Sequence, residues 1–268
     1  MNVLVFPEID PVIFQFGPLA VRWYGLMYVL GFLASYLLVR RQIREFSYHR
    51  LDAHFENLNM VLILGVIIGG RLGYVLFYNL PYYLEHPLEI PATWSGGMSF
   101  HGGCLAALAG GWLYCRKKGI DFWTAADLYT ATIPIGLGLG RIGNFINGEL
   151  YGRVTDVPWA MVFPGGGPLP RHPSQLYEFL LEGVVLFAIL WAVRAKPWQN
   201  KRFWPHGSIF AMFLSGYGCA RIIVELFREP DQQIGYLLGI FTMGQLLSLT
   251  MVIGGLVIWT LRIGRKRP

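Results

Sequence analysis

Apolar residues gather into windows of about 20 positions, the length that crosses a ~30 Å hydrocarbon core. They predict helical spans near 19–39, 57–78, 97–115, 122–140, 175–193, 207–227 and 239–261. The fold class that follows is an all-α membrane protein, a polytopic bundle of about seven transmembrane helices in a single transmembrane domain over residues 1–268. The third and fourth windows are rich in Gly and separated by a few residues. The loops 79–96 and 141–174 are the longest, rich in Pro, Gly and aromatic residues, and too short for a second domain. They predict a small loop cap, in which the run from Pro164 to Pro168 reads as a flexible turn.

Composition agrees: 54% of residues are hydrophobic and 14% charged, against roughly 25% charged in soluble domains. The net charge of +6 does not point to nucleic acid, because the basic residues sit in short clusters between apolar windows rather than along one polar face. Fifteen of the 22 Lys and Arg residues follow the first, third, fifth and seventh windows, which predicts that side to be cytoplasmic, the N-terminus periplasmic and the C-terminus cytoplasmic. The stretch from Met1 to Phe16 lacks a basic start and carries Glu8, Asp10 and Pro11, so it does not read as a cleavable signal peptide. Cys104, Cys115 and Cys219 lie in apolar segments without metal-ligand spacing and read as packing residues.

The other seven basic residues, Arg22, Arg71, Arg141, Arg153, Arg171, Arg221 and Arg228, are all arginines. The guanidinium fork grips phosphate or carboxylate bidentately where an ammonium cannot, so this choice favours anion recognition. A charged side chain at mid-bilayer costs at least ~2.5–3.5 kcal/mol, so each one needs a partner or a task. Tyr24, Arg71, His101, Arg141, Glu178 and Glu182, and Arg221 with Glu225 all fall near the outer ends of their spans, which predicts one polar level. Tyr217, Arg221, Glu225 and Arg228 share one helical face. Two readings stand there: an ion pair that only joins helices, or an anion site in which Glu225 orients Arg221 beside Arg228. Glu178 and Glu182, at i and i+4, are packing partners for the arginines or catalytic groups, and Ser174 is placed to cap their helix. His101 lies among Gly96, Gly97, Gly102 and Gly103, where absent side chains let a substrate approach; it is a general base or a structural histidine. Asp127, near the cytoplasmic end of its span, is given no catalytic role.

The run from Gly136 to Gly152 has glycine spacings like a dinucleotide fingerprint but no strand before it. Its part from Gly140 to Gly152 closely resembles the signature of bacterial prolipoprotein diacylglyceryl transferases, G-R-x-G-N-F-x-N-x-E-x-x-G, with every fixed position filled. The resemblance extends to Arg22–Gly25, Gly69–Gly73, Phe100–Gly103, His172–Glu178 and the Arg221–Glu225 stripe, and so covers nearly the whole chain. It implies a bacterial inner-membrane enzyme, its active site toward the periplasm, that moves the diacylglyceryl group of phosphatidylglycerol to the lipobox cysteine of prolipoprotein signal peptides. The products are a thioether and glycerol phosphate, and no cofactor or metal is required. It further implies Arg141 and Arg221 as phosphate clamps and His101 as the leading proton acceptor. Tyr24, Glu149 and Glu225 join them as catalytic candidates, with Asn144, Gly152, Arg71 and Arg228 as lipid-binding candidates. Rival readings from the residues are an organic-anion transporter, a phosphotransferase or a lipid-binding scaffold; the polar level near the outer surface and the scattered carboxylates disfavour the first two.

Overall fold

Eight principal helices carry the chain in a computed structural model that describes residues 4–7, 9–17, 19–229, 236–237 and 241–264. They are α1 (Trp23–Glu45), α2 (Phe55–Tyr78), α3 (Phe100–Lys118), α4 (Phe122–Thr130), α5 (Ile133–Ile146), α6 (Ser174–Gln199, including a π-helical turn over Phe179–Val185), α7 (Ser208–Glu225) and α8 (Met243–Gly264). Among the described residues, α1, α2, α6, α7 and α8 are long and apolar enough to cross a membrane. Helix α3 has 19 residues, but its Gly, His and terminal basic residues dilute its hydropathy.

Two predicted spans differ in form. The first helix begins at Trp23 because Leu19–Arg22 form a strand that pairs antiparallel with Val12–Phe16. β-Branched and aromatic residues flank Gly17, whose φ of 57° suits the reversal. The fourth window is two helices, broken at Ala131 and Thr132, because Pro134 has no amide hydrogen to give and opens the first turn of α5 instead.

The contacts form two compact units, residues 42–125 and residues 1–41 with 126–268. In the first, α2 packs on α3 through glycines at helical spacing. A Cβ on Gly102 would stand 2.4 Å from the Gly69 carbonyl oxygen and 2.9 Å from the Gly73 Cα. Small residues thus set the approach of the two backbones. Gly102→Val is expected to cost at least about 1–3 kcal/mol, read as a lower unfolding temperature in detergent.

In the second unit the loop between α5 and α6 has its own small core. Phe6, Phe145 and Phe163 meet with ring centroids 5.3 to 6.3 Å apart, Tyr151 stacks on Phe163, and Leu4–Val5 pairs parallel with Met161–Val162. The run from Pro164 to Pro168 is not free: the Tyr151 hydroxyl donates to the Gly165 carbonyl, and Arg171 Nε donates to that of Gly166. Helix α7 is tied at its start by Asp127, 1% exposed, whose carboxylate accepts the backbone N–H groups of Gly207 (2.8 Å) and Phe210 (3.0 Å). A carboxylate there satisfies free amides and complements the helix dipole, a structural task.

Candidate active site

Helix α6 enters at Ser174, and the side chains around its start hold the preceding loop rather than cap the helix. Ser174 Oγ donates to the Leu150 carbonyl (2.9 Å), and Gln175 Nε2 donates to that of Glu149 (2.6 Å). These bonds secure a turn in which Leu150 has φ 58° and in which the Glu149 carboxylate accepts from Asn144 Nδ2 (2.9 Å) and Asn147 Nδ2 (3.1 Å). Tyr24, at the start of α1, shares a 3.2 Å hydrogen bond with the Tyr28 hydroxyl and lies within electrostatic range of Glu149 and Arg141. A Cβ on Gly143 would stand 2.8 Å from the Tyr24 ring. Tyr24 thus lies near both Glu149 and Arg141, at the two ends of the signature's polar residues.

Two helices, α5 and α7, then bring three cations onto two carboxylates of α6. Glu178, fully buried, receives Arg141 Nε at 2.6 Å from α5, Arg221 Nη1 at 2.9 Å from α7, and Arg228 Nη1 at 3.2 Å from just beyond α7. Glu182, one turn further along α6, stands 3.6 Å from both Arg141 Nη2 and Arg221 Nη1. Arg221 Nε also meets Glu225 at 3.1 Å, while Glu225 Oε1 accepts from the Thr242 hydroxyl. Thr242 caps α8 reciprocally with Gln245, each side chain accepting the other's backbone N–H. The cluster therefore fixes the junction of α5, α6, α7 and α8.

Arg141 and Arg221 keep part of their forks in reserve. Their inner nitrogens are held by carboxylates, whereas Arg141 Nη1 and Arg221 Nη2 make no hydrogen bond among the described residues, and the side chains are 19% and 13% exposed. Such a guanidinium is oriented in advance and retains donors for an incoming anion.

Arg228 is placed by the backbone. Gly152 bridges Arg228, the Arg153 amide donates to Phe227, and Arg153 Nε donates to the Arg228 carbonyl (2.8 Å). A Cβ on Gly152 would come within 2.4 Å of the Phe227 carbonyl oxygen, so the contact demands glycine. Beside it Arg171 pairs with Glu229. Trp159 Nε1 donates to the Tyr177 oxygen, and the Tyr177 hydroxyl shares a 3.0 Å hydrogen bond with His172 Nδ1. Burial pushes that imidazole below the ordinary histidine value.

Arg71 and His101 belong to the unit of residues 42–125. Arg71 departs from the lipid-binding expectation: it is 4% exposed, and its nitrogens donate to the carbonyls of Glu89, Ile90, Gly96 and Gly97 at 2.6 to 3.2 Å. One arginine with four backbone acceptors folds the loop after α2 and has little left for a phosphate. His101 is exposed in the first turn of α3, which Ser99 caps. The glycines after it serve the α2–α3 contact, which corrects the reading of them as room for a substrate.

Glu178 and Glu182 are partners of the arginines, one of the two readings the sequence offered for them. Their signal was present: two carboxylates at i and i+4 in an apolar window, in a chain with intramembrane arginines to be neutralised.

The model of the family described as prolipoprotein diacylglyceryl transferase matches residues 11–261. The phosphatidylglycerol--prolipoprotein diacylglyceryl transferase of Desulfotalea psychrophila is 61% identical over 267 residues, covering 100% of this chain and 98% of its own. That of Geobacter sulfurreducens is 55% identical, covering 97% and 98%, and that of Bordetella avium 54%, covering 98% of each. With this match over nearly the whole length, the chain belongs to the prolipoprotein diacylglyceryl transferase family.

Proposed function

We propose that Arg141 and Arg221, with Arg228 behind them, hold the phosphate of phosphatidylglycerol while a prolipoprotein cysteine attacks the lipid. The chain is a transferase that moves the diacylglyceryl group to prolipoprotein, the first step of lipoprotein maturation. The observation that carries the site assignment is the convergence of three guanidinium groups on Glu178, two of them with unused donors.

The chemistry follows from that arrangement. The cysteine sulfur forms a bond to the glycerol carbon bearing the phosphate ester, and the carbon–oxygen bond breaks with its electron pair passing to the phosphate. Negative charge thus grows on the leaving group, where donors already in position help most. The thiol proton leaves before or during attack, since the thiolate is the nucleophile. His101 is the candidate acceptor on its chemistry, and the proton ends on the glycerol phosphate released. Tyr24, Asn144 and Glu149 frame Arg141, and Gly152 and Glu225 fix the two ends of the Arg221–Arg228 segment. We place the site on the periplasmic flank of seven spans in the bacterial inner membrane. The one-sided basic loops support that orientation, and α3 with the α4–α5 pair completes the count.

Purified protein, labelled phosphatidylglycerol and a lipobox peptide are expected to yield lipidated peptide and an equal amount of glycerol phosphate. Anion flux across sealed vesicles with no lipidated peptide would instead establish the transporter reading.

A further inference from the structure

We infer that Glu182 takes up a proton when the anionic headgroup binds, so that the buried cluster stays neutral. The inference rests on the phosphatidylglycerol reading and adds a task that reading does not contain.

The formal charges of the cluster balance: Arg141, Arg221 and Arg228 stand against Glu178, Glu182 and Glu225. A phosphodiester adds one negative charge to a site where net charge is expensive. Of the three carboxylates, Glu178 is bonded by Arg221 and Arg228 and touches Arg141, and Glu225 is bonded by Thr242 and meets Arg221. Glu182 differs. It is fully buried, both of its oxygens lack a hydrogen-bond partner, and its nearest cations stand at 3.6 Å. A carboxylate that holds least loses least on becoming a neutral acid.

The groups facing it come from every neighbouring element: Arg141 from α5, Tyr217 and Arg221 from α7, Arg228 beyond α7, and Glu178 on its own helix. As a lipid phosphate draws Arg141 and Arg221 toward itself, the loose attractions to Glu182 are the first to weaken. The repulsion from Glu178 remains. Glu182 also lies within the π-helical turn of α6, where Gly183 packs against Gly138, and such turns are frequent at functional sites. The step forms an O–H bond on the Glu182 carboxylate with a proton from solvent and leaves the lipid unchanged. Glu182 is therefore a charge-compensating positioning residue, not a catalytic one.

The test is calorimetric titration of the detergent-solubilised protein with short-chain phosphatidylglycerol, without acceptor peptide, in buffers of different ionisation enthalpy. Wild type is expected to take up close to one proton per bound lipid. Glu182→Gln, which mimics the neutral acid, should bind lipid at least as tightly and take up none. Difference infrared spectra of the wild type should gain a protonated-carboxyl band on lipid addition, a readout that does not depend on the variant's folding. Binding without proton uptake, or undiminished uptake in Glu182→Gln, would overturn the inference while leaving the lipid reading intact. Failure of wild type to bind phosphatidylglycerol would sink both.

Discussion

Glu178→Ala is expected to lower the stability of the detergent-solubilised protein by about 3–5 kcal/mol, the usual cost of removing one partner from a buried ion pair. Glu178 is fully buried and meets three guanidinium groups. Its loss leaves three cations against two carboxylates, one of which makes no hydrogen bond. Glu178→Gln keeps the shape and an acceptor, and should fall between wild type and the alanine variant. Thermal unfolding checks the order. A shift in Glu178→Ala no larger than that of an exposed surface substitution would mean that the cluster does not join these helices.

Arg221→Ala is expected to cut the lipidation rate by roughly 10²–10³-fold, the range for removing one preorganised donor from a developing anion, while the protein stays folded. Folding survives because Arg141 and Arg228 still neutralise Glu178. Arg221→Lys should not rescue. Arg221 uses one nitrogen on Glu178, another on Glu225 and has a third with no hydrogen bond among the described residues, and a single ammonium cannot face three ways from a flexible stem. Rates with labelled lipid and lipobox peptide decide it, and near-normal turnover in either variant would remove Arg221 from the chemistry.

The helices were legible where apolar length alone decides, as in α2 and α8. They were less so where local chemistry interrupts an apolar run. Leu19–Arg22 read as part of a span because a short strand of apolar residues cannot be told from a helix start by hydropathy. The break before α5 had a visible cause in Pro134, which fits a first turn but not a helix interior. The arginine choice and the Arg221–Glu225 face pointed to a helix that does join the ion-pair cluster, yet sequence spacing could not say that Glu178 would gather three cations from beyond its own helix. Arg71 shows the converse error. Nothing in its neighbours reveals that the acceptors awaiting it are main-chain carbonyls about 18 to 26 positions away, because backbone acceptors carry no residue identity. His101 was singled out for its glycines, of which Gly102 meets Gly69 and Gly73, a helix earlier, at a spacing that lets backbones touch.

The two ends of α7 are fastened to main chain in different ways, by Asp127 accepting its first amides and by Gly152 and Arg153 gripping Phe227 and Arg228. A rod secured at both ends cannot piston along its axis. If Arg221 holds the lipid phosphate as proposed, it acts as a fixed rung, and a lipid must lift its phosphorus to that height rather than be followed in depth.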